Sequence, residues 1–342
     1  MMSNTSVLSV RNLSVAFATA DGDVIAVDKL SFDLALGETL GIVGESGSGK
    51  SVTASSIMRL NNSSSATTTG EILLEGTNIL TASEDEVRSI RGKDVAMIFQ
   101  DPLSALNPYY TVGHQIAEAY EVHHHGVDKS VVRSLVLDMM TKVGIPNPEK
   151  RIDEYPHQFS GGMRQRIVIA IALINQPKVL IADEPTTALD VTVQAQILDL
   201  MKSLQLEFNM AIILITHDLG VIAEVADNVL VMYAGRIVET SSVSALFAEP
   251  VHPYAFGLLG AVTSLEASDR GQLDTIAGSP PSLISLPSGC SFHPRCEFVE
   301  FGNGKCVSVV PELRSIGTLG SSTACHLSDD VIVSLGRKAA RA

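Results

Sequence analysis

The stretch Gly44-Glu-Ser-Gly-Ser-Gly-Lys50-Ser51 decides the fold. An apolar run, Thr39 to Val43, leads into it, and a helical pattern begins at Lys50. The stretch fits G-x-x-x-x-G-K-[ST], and strand, loop and helix in that order are the context the motif requires. Successive backbone N–H groups in such a loop form a concave anion nest, and the helix N-terminus adds positive potential. Glycines let the backbone approach phosphates without a Cβ clash. Lys50 then reaches the β- and γ-phosphates, and the Ser51 hydroxyl ligates Mg²⁺. The expected nucleotide-binding residues are Gly44, Glu45, Ser46, Gly47, Ser48, Gly49, Lys50, Ser51 and Val52.

A second apolar run, Val179 to Ala182, ends in two carboxylates, Asp183 and Glu184. Parallel α/β sheets bind ligands at the carboxyl ends of their strands. There Asp183 is placed to hold Mg²⁺, and Glu184 to polarise an attacking water as general base. A third run, Ala211 to Ile215, ends in Thr216-His217, which puts His217 near the same edge.

Outside these runs the chain alternates strand and helix patterns. Val7 to Phe17 and Val24 to Leu34 alternate apolar and polar residues, as half-buried strands do, with a turn signal at Asp21-Gly22. Asn61 to Thr69 reads as a Ser/Thr/Asn-rich loop, Glu71 to Leu74 and Val95 to Phe99 as strands, and Thr111 to Gly144 as helical. Helices are expected at Met163 to Asn175 and Thr192 to Phe208, and short strands at Asn228 to Met232 and Arg236 to Thr240. The pattern predicts an α/β protein with a largely parallel sheet. The texture changes near Glu249-Pro250, where a tail rich in Pro, Gly and Ser begins, so a boundary is expected near residue 248.

Composition bounds the rest. The 342 residues carry 24 Lys+Arg and 38 Asp+Glu, a formal charge of 24 − 38 = −14, with 45% apolar residues and four Cys. That excludes a disordered chain and a disulfide scaffold. The acid excess argues against a nucleic-acid binder, which shows a basic face. The N-terminus lacks the basic stretch and apolar run of a secretory signal. The best spanning candidate, Ile167 to Ile174, is far short of the ~20 apolar residues that a membrane helix needs. The expectation is a cytosolic chain in a reducing compartment.

Three further elements carry a resemblance. Ser160-Gly161-Gly162-Met163-Arg-Gln-Arg precedes a helix, Phe99-Gln100-Asp101-Pro102 ends a strand, and Ala188-Leu189-Asp190 follows the acidic pair. In this order, over roughly residues 5 to 248, the set resembles the nucleotide-binding subunit of ABC transporters. The resemblance implies a P-loop NTPase fold: a RecA-like core, an antiparallel β subdomain, a helical subdomain at about 101–176 and a small C-terminal extension with cysteines at 249–342. Gly44 to Ser51 looks like the Walker A loop, and Asp183 and Glu184 like the Walker B aspartate and catalytic glutamate. Gln100 resembles the Q-loop glutamine that touches Mg²⁺ and water, and His217 the switch histidine. Asp190 resembles the D-loop aspartate. Phe17 stands where an aromatic stacks on adenine. Ser160, Gly161, Gly162 and Met163 look like the signature motif, which completes the site of a second subunit. Met163 departs from the usual Gln. The implied activity is ATP hydrolysis in a dimer that sandwiches two ATP.

The tail narrows the resemblance. Glu249-Pro-Val-His-Pro-Tyr254 and Gly289-Cys290-Ser-Phe-His-Pro-Arg295-Cys296 resemble the extension of the oligopeptide/dipeptide/nickel importer subgroup, of OppD/DppD type. That implies an OppF/DppF-type partner ATPase, two transmembrane permease subunits and, indirectly, an extracytoplasmic peptide-binding protein. It also implies a peripheral place on the cytoplasmic face of the inner membrane. Spacing alone leaves Cys290, Cys296, Cys306 and Cys325 open between zinc, an iron–sulfur cluster and plain buried thiols. The resemblance implies a [4Fe–4S] cluster. Rival readings are a soluble ABC ATPase acting on DNA or ribosomes, and an importer of nickel or another small solute.

Two features read blandly. His123-His124-His125 cannot all face one site from a helix, so a solvated loop is expected. Glu84 to Glu86 form an acidic helix start. Leu103, Leu106, Tyr109 and Tyr110 are candidates for contact with a membrane subunit, with core packing the alternative.

Overall fold

The computed structural model describes residues 6–61, 64–101, 105–187, 189–266, 276–317 and 319–340, with backbone alone at 261–266. The chain packs as two compact units. One comprises Met1–Leu8, Asp33–Glu38 and Leu73–Ile213; the other Ser9–Phe32, Thr39–Ile72 and Leu214–Ala342. These units do not follow the expected boundary near 248.

The strands are β1 (Ser6–Thr19), β2 (Gly22–Ala35), β3 (Thr39–Val43), β4 (Ala66–Leu74), β5 (Thr77–Asn78), β6 (Val95–Ile98), β7 (Val179–Asp183), β8 (Ala211–Thr216), β9 (Asn228–Tyr233), β10 (Arg236–Ser242), β11 (Arg314–Ile316) and β12 (Ser321–Thr323). A four-stranded sheet has the order β2-β1-β4-β5. In the larger-numbered unit the order runs β11-β12-β10-β9-β3. In the other, β6 and β7 are parallel, pairing Val95 with Val179 through Ile98 with Ala182. β3 is parallel to β9, from Leu40 opposite Asn228 to Val43 opposite Val231. Every residue of β3, β7 and β8 is buried. Continuous apolar runs of this kind suit strands covered on both faces.

Two expectations needed correction. Ala66–Leu74 is one strand, so the expected loop Asn61 to Thr69 is shorter than read, with 62–63 outside the described residues. Its Thr67-Thr68-Thr69 run is β-branched and alternates in exposure, which suits an edge-facing strand better than a loop. The helical stretch Thr111 to Gly144 is two helices, Val112–Glu121 and Lys129–Lys142. Gly126, at φ 78°, sits in the break. The side chains of Thr111 and Asp128 accept N–H groups at the two helix starts.

The tail adds to the sheet instead of hanging from it. β12 is antiparallel to β10, with Glu239 opposite Thr323. Val251, Phe256, Ile316, Cys325, Leu327 and Ile332 form a buried cluster beneath it. The helix Asp329–Ala339 packs so closely that a Cβ on Gly336 would lie 2.0 Å from the Pro250 carbonyl oxygen. Among the described residues no helix is long and apolar enough to cross a membrane.

Candidate functional site

The phosphate loop connects β3 to the helix Lys50–Ile57. Gly44 has φ 157° and a Cβ there would meet the Met232 carbonyl oxygen at 2.2 Å, so only glycine fits. Gly49, at φ 100°, is left-handed and is the residue before the helix. Lys50 is buried, and its Nζ donates to the carbonyl oxygens of Gly44 at 2.7 Å and Glu45 at 2.9 Å. The ammonium is thus held across the concave face of the loop. Ser51 is exposed, Val52 half-buried. Phe17 is half-buried on β1, and His217 is exposed immediately after β8.

The acidic strand end is built differently. Asp183 closes β7 and is buried. Glu184 follows at φ 48°, a conformation that costs a non-glycine residue energy and persists where surrounding contacts fix it. Two contacts do so. Gln100 Nε2 donates to Glu184 Oε2 at 3.0 Å, and Thr187 Oγ1 donates to the same oxygen at 2.8 Å. Gln100, expected beside Mg²⁺ and water, thus meets the Glu184 carboxylate directly. Thr187 went unread, although its spacing of three after Glu184 is a turn spacing.

Ser160 caps the helix Gly161–Leu173, its side chain accepting from Met163 N. Its two glycines are not equivalent. A Cβ on Gly161 would meet nothing, whereas one on Gly162 would lie 2.7 Å from Val193 Cγ1. Gly161 leaves open space, and Gly162 admits the neighbouring helix Val191–Phe208. Asp190 caps that helix by accepting from Val193 N at 3.0 Å. Ala188 lies outside the described residues.

Other candidates separate. Leu106 is buried, so core packing claims it. Tyr109 and Tyr110 are 85% and 50% exposed. Leu103 lies outside the described residues. His124 stacks on Tyr120 at 4.2 Å, and His123 contacts the backbone of Arg91. These histidines face different neighbours. Ser83 and Glu86 form a reciprocal capping box at the acidic helix start.

The four cysteines are free thiols lining one small cavity of about 10 Å³ with His252 and Phe292. Burial pushes all four thiols up, Cys296 to about 12 and Cys325 to about 11. Among the described residues no three His, Cys, Asp or Glu side chains are grouped so that they could hold a metal ion, zinc or iron.

Arg295 was read only as part of the cysteine stretch, and its pairing with Glu45 was not foreseen. It meets both carboxylate oxygens of Glu45, at 2.7 and 3.0 Å. No local signal marks a pair 250 residues apart.

Comparison with known proteins agrees with this geometry. The family model described as "ABC transporter" matches residues 27–187, and "Oligopeptide/dipeptide transporter, C-terminal region" matches 238–302. The dipeptide transport ATP-binding protein DppD of Bacillus subtilis is 55% identical over 291 residues, 85% of this chain and 86% of the relative. The chain belongs to the ATP-binding subunits of the oligopeptide/dipeptide ABC transporter family. The oligopeptide transport ATP-binding protein OppD of Salmonella typhimurium is 53% identical, covering 84% of this chain and 85% of its own length. The dimeric ATP-binding cassette MJ0796, solved with ADP and Pi, superposes with a TM-score of 0.62 at 25% identity, over 69% of this chain and 98% of that one. This ABC subunit is accordingly a P-loop ATPase with the cassette fold. Its cassette binds and hydrolyses ATP.

Proposed function

We propose that this ATPase powers peptide import. The observation that carries the reading is one chain that matches both the ABC transporter model and the oligopeptide/dipeptide C-terminal region. Its relatives are named for dipeptide and oligopeptide transport. Residues 1–248 serve as the nucleotide-binding engine and 249–342 as the subgroup-specific extension.

Lys50 and the loop amides hold the ATP phosphates, and Phe17 stacks on adenine. Ser51, Gln100 and Asp183 would hold Mg²⁺, which supplies charge neutralisation on the phosphates. Glu184 accepts a proton from the attacking water as its oxygen approaches the γ-phosphorus and the bond to the β–γ bridging oxygen breaks. Gln100 and Thr187 keep the receiving carboxylate oriented. His217 contacts the γ-phosphate. Ser160 and Gly161 offer an anion site to the ATP of an OppF/DppF-type partner subunit, and Asp190 lies at that junction. Closing around two ATP and reopening after hydrolysis drives two permease subunits. The extracytoplasmic binding protein delivers the cargo, and the ATPase sits on the cytoplasmic face of the inner membrane.

Cys290, Cys296, Cys306 and Cys325 would hold a [4Fe–4S] cluster, which supplies a structural crosslink. Cysteines whose burial favours the protonated thiol need such a cationic centre to be held as thiolates.

The test is the assembled transporter in proteoliposomes. ATP-dependent uptake of di- or oligopeptides supports the reading. Uptake of Ni²⁺ with no peptide uptake would overturn it, as would DNA- or ribosome-stimulated turnover without permeases.

A further inference from the structure

We propose that Arg295 is a positioning residue for the phosphate loop, cancelling the charge of Glu45 so that the loop accepts a polyanion. The proposal rests on the reading of Gly44–Ser51 as the ATP phosphate site.

Glu45 is the second residue of that loop. An uncompensated carboxylate there would oppose the phosphates it borders. Arg295 answers it with a two-pronged contact of 2.7 and 3.0 Å, the geometry in which guanidinium and carboxylate pair most strongly. An exposed ion pair would contribute little. Here the Arg295 side chain is only 6% exposed. It is fixed from behind as well. Its Nε donates to the Ala277 carbonyl oxygen at 2.9 Å, and its Nη1 to the Tyr233 hydroxyl at 3.3 Å. The guanidinium carbon lies 5.8 Å from the centre of the Tyr233 ring.

The backbone of Glu45 is held as well. Its N–H donates to the hydroxyl of fully buried Tyr254 at 2.8 Å, and its carbonyl oxygen accepts from Lys50 Nζ at 2.9 Å. A line of contacts thus runs from Arg295 through Glu45 to the lysine that meets the phosphates. Arg295 directly precedes Cys296, in the turn His293–Arg295, and His293 N donates to the Cys290 carbonyl oxygen at 3.0 Å. The turn between two of the four cysteines therefore sets where the guanidinium stands. The extension thus holds Glu45 through the Arg295 ion pair and the Tyr254 hydroxyl.

The test uses the full chain and its Arg295→Ala, Glu45→Gln, double and Lys50→Ala variants, titrated calorimetrically with MgATP and assayed for turnover with the partner subunits. Arg295→Ala should weaken MgATP binding about tenfold, as a KM effect with kcat little changed. The deficit should shrink at high salt. The double variant should return to within about threefold of wild type, because the unpaired carboxylate is gone. Wild-type affinity in Arg295→Ala, alongside lost binding in Lys50→Ala, would overturn the proposal and leave the ATP site standing. A double variant as weak as Arg295→Ala would also overturn it, reducing Arg295 to packing. Where Arg295→Ala fails to fold, Arg295→Lys, which keeps the charge and loses the two-pronged contact, carries the test: a loss well under tenfold supports it, and a full tenfold loss, showing that shape and not charge matters, overturns it.

Discussion

Gln100 donates from Nε2 to Glu184 Oε2 across 3.0 Å, joining residues 84 positions apart at the ends of two parallel strands. The contact fixes a carboxylate on a left-handed backbone. Removing it loosens the carboxylate proposed as general base, with Thr187 still on the same oxygen. Gln100→Ala should lower kcat about tenfold or more, since small misplacements of a reacting group are expensive. KM for ATP should move less. Steady-state ATPase assays on the assembled complex measure both, and an unchanged kcat would remove Gln100 from the site.

The signature glycines should part company on substitution. Gly162→Ala places a methyl 2.7 Å from Val193 Cγ1, so it should destabilise the fold by about 1–3 kcal/mol. Gly161→Ala meets nothing within the chain and should leave the melting temperature unchanged. It should instead lower turnover at the partner's site. Thermal melts of both variants, with ATPase assays of the complex, separate the two roles.

Glu239 gives the fold a pH dependence. Burial raises its carboxyl from an ordinary 4.5 to about 8, while Val251 N–H donates to it at 2.9 Å. The folded state therefore keeps a proton that the unfolded chain releases. The stability this contributes is full below about pH 4.5 and is lost as pH rises towards 8. Neighbouring His252 is pushed down to about 3 by burial, so its own contribution is lost as pH falls below its ordinary 6.5. Between about pH 6.5 and 8 the Glu239 effect stands alone, with a slope of at most about 1.4 kcal/mol per unit. Glu239→Gln should flatten urea stability across that window. An unchanged slope would show that the carboxyl ionises elsewhere.

The proposed [4Fe–4S] cluster predicts colour. Anaerobic purification should give a brown protein with about four irons per chain, lost in Cys325→Ser. A colourless, iron-free protein would leave four structural thiols.

The parts legible in the sequence are those whose chemistry is written in consecutive residues. The phosphate loop needs glycines at fixed offsets, and Asp183-Glu184 needs only an apolar run before it. Gln100 could be read only through the resemblance that Phe99-Gln100-Asp101-Pro102 carries. Contacts that depend on tertiary folding left no such trace. Arg295 meets Glu45 only because the tail returns beside the phosphate loop, and β12 pairs with β10 over some eighty residues. Gly162 was read with Gly161 as part of the signature motif, yet a Cβ there would meet a valine on the next helix. Leu106 was a candidate surface residue, but it is buried. Thr67 to Thr69 looked like a loop because threonine is polar, while its β-branched shape serves a strand equally well.

The central claim is that Glu184 hydrolyses ATP in a two-subunit sandwich to drive transport. Glu184→Gln in the assembled complex tests it most directly, through ATP turnover and the size of the ATPase pair in MgATP. Turnover should fall at least a hundredfold. The variant should also hold MgATP in a stable, closed pair of subunits, with transport stopped. Undiminished hydrolysis, with no ATP-dependent pairing, would contradict the account.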